Sequence, residues 1–172
     1  LFFLCSGVIV SIPMALVFEQ SGDFLNTFLH NQFEAELIAV AVLAPIIEEF
    51  AKAYPLFYRH GESQKSLFTM GLLVGFGFGI TEFFAYVLLV GVPWYVRLPG
   101  ILLHASWTSI TAYGIAAKHS VPFYSIAMFL HSSVNFLAEL EGSALLYALV
   151  LATTFSLSFL LYSKASAQVI DY

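Results

Sequence analysis

Long apolar runs, each interrupted by a few polar residues, dominate the chain. Six stretches are long enough to cross a bilayer as helices, because a helical span needs about 20 mostly apolar residues. They are residues 1–18, 34–58, 66–91, 98–117, 121–140 and 143–163. The connections are short apart from residues 19–33, which are either a short helix lying in the membrane interface or an ordinary loop. The pattern predicts an all-α, polytopic membrane bundle of about six transmembrane helices.

The composition indicates that lipid is the solvent of this bundle. Of the 172 residues, 60% are hydrophobic and only 10% are charged, against roughly 25% charged residues in ordinary soluble domains. So much apolar surface cannot be buried in one small soluble core. The net charge of -5 and the lack of a basic cluster argue against a nucleic-acid partner. Cys5 is the single cysteine, so neither an intrachain disulfide nor a thiolate metal site is expected.

The loop charges predict how the spans are oriented, because basic residues favour the cytoplasmic side. One side carries Arg59, Lys65, Lys118 and Lys164, and the other side carries Arg97. We therefore expect a multi-pass protein of the cell membrane with both ends of this chain in the cytoplasm. The first 18 residues lack a basic region, which indicates a true span in a fragment without its native N-terminus, and not a signal peptide. Residues 1–172 are predicted to form one domain, with the central motifs in residues 45–136.

Two adjacent carboxylates, Glu48 and Glu49, lie inside the second apolar stretch, and Lys52 follows them. A charged side chain near the bilayer centre costs roughly 2.5–3.5 kcal/mol on insertion scales, so such residues are mostly functional. Neighbouring helical residues point about 100° apart, so the two acids cannot share one direction. Lys52 can pair with Glu48 at i,i+4 and leave Glu49 free, and the reverse assignment stays open. Pro45 predicts a kink beside these residues.

The third stretch carries a face of small residues that ends in an acid. The glycines of this face repeat every four residues, at Gly71, Gly75 and Gly79. Such a face allows another helix to approach closely. Glu82 and Tyr86 project into the same arc as the glycines. We therefore expect Glu82 to face a packed helix and not lipid.

Two histidines lie on separate later helices. His104 is in the fourth stretch, and His131 is in the fifth with Asn135 at i+4. A single histidine on an apolar face is usually structural, but two with polar neighbours at helical spacing indicate a functional role for at least one. Counted along each span at about 1.5 Å per residue, the polar residues fall between mid-membrane and the outer half. The site is thus expected to be accessible from mid-membrane or from the extracytoplasmic side.

Carboxylates, two histidines and an asparagine suit the hydrolysis of a carbonyl compound. In one route a glutamate is the general base toward water, while histidine and asparagine stabilise the developing oxyanion. In the other route glutamate and histidine ligate Zn²⁺, and the water is bound to the metal. The chain has no GxSxG and no HExxH motif. Both routes fit peptide cleavage inside the membrane.

Four motifs on successive predicted helices resemble the PrsW family of intramembrane proteases, which is related to the CAAX-protease and APH-1 superfamily. They are EEFAK of 48–52, GFGFGITEFFAY of 75–86, RLPGILLHASW of 97–107 and HSSVN of 131–135. By position, the resemblance implies catalytic or metal-ligating roles for Glu48, Glu49, Glu82, His104, His131 and Asn135. It implies Glu49, His104 and His131 as the residues that could hold Zn²⁺, with Lys52 and Tyr86 in support. Asn135 matches the oxyanion-side asparagine.

The resemblance implies an intramembrane endopeptidase that cleaves a single-pass membrane protein, such as an anti-sigma factor, on its extracytoplasmic side. Two other functions are alternatives. One is a non-catalytic membrane scaffold resembling APH-1, but packing alone would favour fewer buried charges. The other is a proton-coupled transporter that uses the three glutamates as a relay. The lack of an inverted repeat argues against the transporter.

Overall fold

A computed structural model describes residues 1–59 and 62–168, and for residues 11, 12 and 14–23 it describes the backbone alone. Within this part of the chain the regular structure is entirely helical, and no β-strand occurs. The α-helices are α1 (Phe2–Leu29), α2 (Gln32–Ile38), α3 (Ala44–Ala53), α4 (Gln64–Ala85), α5 (Trp94–Ala116), α6 (Ser120–Glu139) and α7 (Ala144–Lys164). Two π-helical turns, Ala39–Leu43 and Tyr86–Val90, and one 3-10 turn, Tyr54–Leu56, extend these helices. The predicted all-α class is confirmed.

The first helix is longer than the hydrophobic pattern predicts. Its backbone continues through most of residues 19–33, which were expected to be a separate interfacial helix or a loop. The helix ends where His30 adopts a left-handed conformation with φ of 52°. Asn31 then caps α2, because its side chain accepts a hydrogen bond from the backbone N–H of Glu34. A change from apolar to polar residues marks the end of a bilayer-compatible segment, but it does not by itself end a helix.

The second helical run is interrupted by a π turn just before Pro45. The backbone N–H of Ala44 donates to Ala39 O, five residues back, instead of four residues back. A proline ring excludes the carbonyl four residues before it and has no N–H to donate, so the helix adjusts there. The irregularity predicted at Pro45 therefore takes the form of a π turn that joins α2 to α3.

The bundle has an apolar outside and a charged inside. Large apolar side chains are exposed around it, for example Leu89 at 84% and Phe159 at 70%, whereas Glu49 and Lys52 are completely buried. Three helical segments are long and apolar enough to cross a membrane, namely Gln64–Val90, Ser120–Glu139 and Ala144–Lys164. This distribution is the reverse of a soluble protein and fits a lipid environment. The prediction of a membrane protein is confirmed.

The glycine face of α4 packs directly against α5. An added Cβ on Gly75 would overlap the backbone carbonyl of His104, and one on Gly79 would contact Ile101. At Gly71 an added Cβ would meet the side chain of Ala112. The close approach predicted for this face is thereby confirmed, and its partner is the helix that carries His104. Small residues on α4 thus fix the position of that histidine.

Candidate active site

The buried polar residues of three helices meet in one network. Lys52 of α3 donates to Glu49 Oε1 at 2.6 Å and to His104 Nδ1 of α5 at 2.9 Å. His131 Nδ1 of α6 lies 2.9 Å from the same Glu49 oxygen. These four side chains are almost fully excluded from solvent. Residues far apart in the sequence therefore form a single charged cluster in the middle of the bundle.

A fourth helix closes the network at the end nearest Arg97. Glu82 of α4 places Oε2 2.5 Å from His104 Nε2 and Oε1 2.9 Å from Arg97 Nη2. The Arg97 guanidinium also stacks on the ring of Tyr86, with 3.6 Å between Cζ and the ring centroid. The predicted neighbourhood of Glu82 and Tyr86 is thus completed by an arginine. Both oxygens of the Glu82 carboxylate are held by charged or polar partners.

Arg97 is the one member of this network that sequence reasoning did not include. Its charge orients the loops and it begins the motif RLPGILLHASW, but it was not among the predicted site residues. A usable signal was present, because Arg97 precedes His104 by seven residues, and two helical turns place both on the same face of α5.

The hydrogen bonds define which ring nitrogen of each histidine carries the proton. An ammonium can only donate, so His104 Nδ1 accepts from Lys52 and His104 Nε2–H donates to Glu82. His131 Nδ1–H donates to the Glu49 carboxylate, which leaves its Nε2 as the lone-pair nitrogen. A carboxylate on one ring nitrogen of each histidine is the arrangement typical of metal-ligating histidines.

Glu48 occupies a different position from Glu49. Its Oε2 is buried without a hydrogen-bond partner, 3.6 Å from Lys52 Nζ and 4.0 Å from His131 Nε2. One ligand atom each from Glu48, His104 and His131 lie within 4.8 Å of one another. The sequence-based set had Glu49 in place of Glu48. Both acids lie near His131, but Glu49 Oε1 is already bonded to Lys52 and His131, whereas Glu48 Oε2 has no hydrogen-bond partner.

The donor set of this group fits a divalent metal ion. A buried carboxylate oxygen without a partner is costly, and a cation beside it would remove that cost. Glu48, His104 and His131 supply one oxygen and two nitrogens, which suits Zn²⁺ with an open fourth position. The surrounding cluster contains three carboxylates and only two permanently cationic side chains, so it can accommodate added positive charge.

Aromatic rings hold the two histidines in place. Trp107 stacks on His131 with 4.2 Å between ring centroids and 13° between planes. Phe78 lies 5.0 Å from the His104 ring and 4.4 Å below the Lys52 ammonium. The rings restrict the imidazoles and also exclude lipid and water from their faces.

A small cavity of about 40 Å³ adjoins the histidines. A buried water needs only about 10–15 Å³ of such space and a few polar partners. The polar residues lining the cavity are Glu82, Arg97, His104, His131, Asn135 and Tyr147. The cavity is therefore large and polar enough to hold water next to the candidate metal ligands.

Asn135 lines this cavity, and its amide also binds outside the cluster. Its Nδ2 lies 2.9 Å from the backbone oxygen of Val40 in the π turn, and this is the hydrogen bond that the structure gives it. The structure therefore brings Glu48, Glu49, Glu82, His104 and His131 into one cluster and places Asn135 at its edge.

Comparison with known proteins agrees with this geometry. Residues 1–161 match the family model described as PrsW family intramembrane metalloprotease. No curated protein and no solved structure gave a match. The match covers all four motifs, and neither the scaffold nor the transporter alternative is favoured by it. An apolar helical bundle with a buried Glu/His/His group is what such an enzyme requires, and the chain belongs to the PrsW family of intramembrane metalloproteases.

Proposed function

We propose that this protein hydrolyses a peptide bond of a single-pass membrane protein at a divalent metal, Zn²⁺ by preference, held by Glu48, His104 and His131. The observation that carries the proposal is that ligand atoms of Glu48, His104 and His131 lie within 4.8 Å of one another, while a carboxylate, Glu82 or Glu49, holds one ring nitrogen of each histidine. A structural ion-pair network would not need this arrangement on both histidines. The other nitrogen of His104 accepts from Lys52, so the ammonium has to release that nitrogen for His104 to bind a metal through it. When bound, the metal supplies a Lewis acid that polarises the scissile carbonyl.

The remaining residues orient the ligands and handle the proton. Glu82 holds the His104 ring, and Arg97 in turn holds Glu82. Glu49 holds His131 through Oε1, while its Oε2 is buried without a partner. We assign Glu49 Oε2 as the acceptor of the proton that the attacking water loses, with delivery of that proton to the leaving amine as the peptide C–N bond breaks. Water reaches the site through the cavity beside His104 and His131.

The whole chain is proposed to form one domain with six spans and both ends on the cytoplasmic side. Two contacts support the shared side. The backbone N–H of Lys65 donates to Ser166 O at 3.1 Å, which joins the start of α4 to the end of α7. The Arg59 guanidinium lies 5.5 Å from the ring of Phe3, at the start of α1. An even number of crossings returns the chain to the side where it began.

The proposed substrate is an anti-sigma-factor-like protein cut on its extracytoplasmic side. The cavity supports this side, because it lies next to Arg97, the basic residue opposite to the predicted cytoplasmic loops. A substrate helix in the bilayer would have to expose an extended segment there, since a helical backbone keeps its carbonyls hydrogen-bonded.

The test is cleavage of a single-pass substrate co-reconstituted in vesicles with wild type, Glu49→Gln or Glu62→Gln. Glu62 is a matched acidic control, since it pairs with Arg59 in a loop away from the cluster. We expect wild type and Glu62→Gln to cut and Glu49→Gln to lose nearly all activity, with folding checked by thermal unfolding in detergent. Equal cutting by all three would contradict the assignment of Glu49.

Metal dependence is tested by elemental analysis of the purified protein before and after chelation. The proposal expects about one divalent metal per chain, loss of cleavage on its removal and recovery when Zn²⁺ is restored. Cleavage that survives complete removal of metal would leave a glutamate-only route and would exclude the proposed metal site.

A further inference from the structure

The π turn leaves one backbone carbonyl without a donor from its own helix. Ala44 N–H is already used by Ala39 O, so it does not serve the carbonyl of Val40 four residues back. In the π pattern the next donor to Val40 O would be residue 45, which is proline and has no N–H. A carbonyl without a partner is costly in a membrane interior, where water is not available to replace the missing bond.

The amide of Asn135 supplies the missing donor. Its Nδ2 lies 2.9 Å from Val40 O and joins α6 to the π turn. A second tie lies beyond the proline, where the Tyr124 hydroxyl donates to Ile46 O at 2.6 Å. Helix α6 therefore holds the Pro45 irregularity from both sides.

The hydrogen bond of Asn135 joins the helix that carries His131 to the turn that precedes Glu48. Asn135 follows His131 by one helical turn on α6, while the π turn leads directly into α3 with Glu48. Rotation of α3 about its axis would move Glu48 away from His131, and the two atoms that face each other are only 4.0 Å apart. The Asn135–Val40 bond opposes that rotation, because it fixes the turn from which α3 starts.

We infer that Asn135 is a positioning residue, which caps the Val40 carbonyl left free by Pro45 and so holds Glu48 in register with His131. This inference rests on the proposed function for its catalytic consequence. Its structural part, the hydrogen bond that replaces a donor lost to proline, is independent of that function.

The test uses Pro45→Ala as a repair of the missing donor. Alanine at position 45 supplies a backbone N–H that can serve Val40 O, so it makes the asparagine amide dispensable. The four proteins compared are wild type, Asn135→Ala, Pro45→Ala and the double variant. Ser133→Ala is the control on the same helix, because that hydroxyl bonds only its own helix at Phe129 O.

We expect Asn135→Ala to lower kcat by roughly tenfold or more with little change in KM. The reason is that the variant leaves the buried Val40 carbonyl without a hydrogen-bond donor and Glu48 less firmly placed. In the Pro45→Ala background the same change should lower kcat by no more than about threefold. An oxyanion donor gives the opposite result, since its loss would lower kcat equally in both backgrounds, and that outcome would overturn the inference.

Thermal unfolding of the same four proteins in detergent keeps the test decisive if cleavage fails. The inference expects Asn135→Ala to lower Tm less in the Pro45→Ala background than in wild type, whether or not any substrate is cut. Equal losses of Tm in both backgrounds would show that the amide does not replace the missing donor. If wild type never cleaves the substrate, but Asn135→Ala still lowers Tm less in the Pro45→Ala background, the proposed function is contradicted. The structural role of the Asn135–Val40 hydrogen bond is then still supported.

Discussion

Lys52 is bonded to Glu49, with 2.6 Å between its ammonium nitrogen and Glu49 Oε1. The other acid, Glu48, lies 3.6 Å from the same nitrogen and keeps Oε2 without a hydrogen-bond partner. Two consecutive residues of the same type therefore have different surroundings. Glu49 is held through Oε1 by Lys52 and His131, and Glu48 is available to an added cation.

The first prediction separates these two acids by metal affinity. Glu48→Gln removes a ligand and should abolish stoichiometric metal binding, whereas Glu49→Gln leaves the ligands in place and removes the carboxylate that binds His131 and Lys52. Loss of such a partner typically weakens metal binding about 10–100-fold. Titration of the metal-free protein with Zn²⁺ measures both. A weaker site in Glu49→Gln than in Glu48→Gln would reverse the assignment.

The second prediction concerns the buried ammonium of Lys52. Lys52→Met keeps most of the side-chain length and leaves the buried Glu49 carboxylate without its cationic partner. Removing one partner of a buried ion pair costs about 3–5 kcal/mol, so we expect a loss of this size in the free energy of unfolding. Lys65→Met is the matched control, because that lysine is exposed. Unfolding with denaturant in detergent micelles gives the comparison, and similar stabilities for the two variants would disprove the prediction.

The third prediction tests the contact between α4 and α5. Gly75→Ala places a methyl group against the His104 backbone, so the helices must move apart. Overpacking of this kind costs about 1–3 kcal/mol. Gly100→Ala on α5 meets no atom within 4 Å and should leave the free energy of unfolding nearly unchanged. A Gly75→Ala variant as stable as Gly100→Ala would show that the helices are not held as closely as described.

The fourth prediction assigns Arg97 to the site. Arg97→Lys keeps the charge but loses the planar stack on Tyr86, so Glu82 should hold His104 less firmly. We expect metal binding to weaken by about tenfold and kcat to fall with it. Arg59→Lys is the control, since Arg59 pairs with Glu62 in an exposed loop. Wild-type metal affinity in Arg97→Lys would remove Arg97 from the network.

Features that depend on the periodicity of residues could be predicted from the sequence. Glycines every fourth residue predicted that one face of α4 meets a helix, and α5 is that helix. The same periodicity put Glu82 toward the interior, where it contacts His104. Membrane location followed from composition, because few polar atoms are available to cover the outside.

The features that depend on distance and rotation could not be predicted from the pattern. Depth counted along straight spans spreads the polar residues from mid-membrane to the outer half, yet the side chains of Glu49 and His131 are hydrogen-bonded. The count assumed regular helices that begin where polarity changes, and the π turn at Ala39–Leu43 breaks that assumption. The choice between Glu48 and Glu49 depended on helix rotation, which no single-sequence pattern defines.

The buried polar face of α5 has a consequence for membrane insertion. Helix α5 is absent from the segments that qualify as spans by length and hydropathy. It carries polar residues that are buried against neighbouring helices, among them His104, Ser106, Thr108 and Ser109. In the six-span arrangement proposed above, α5 therefore gains little from entering lipid alone. We expect it to leave the insertion machinery together with α4, as a hairpin whose polar side is already shielded, so that this metal-ligand helix depends on its neighbours during biogenesis.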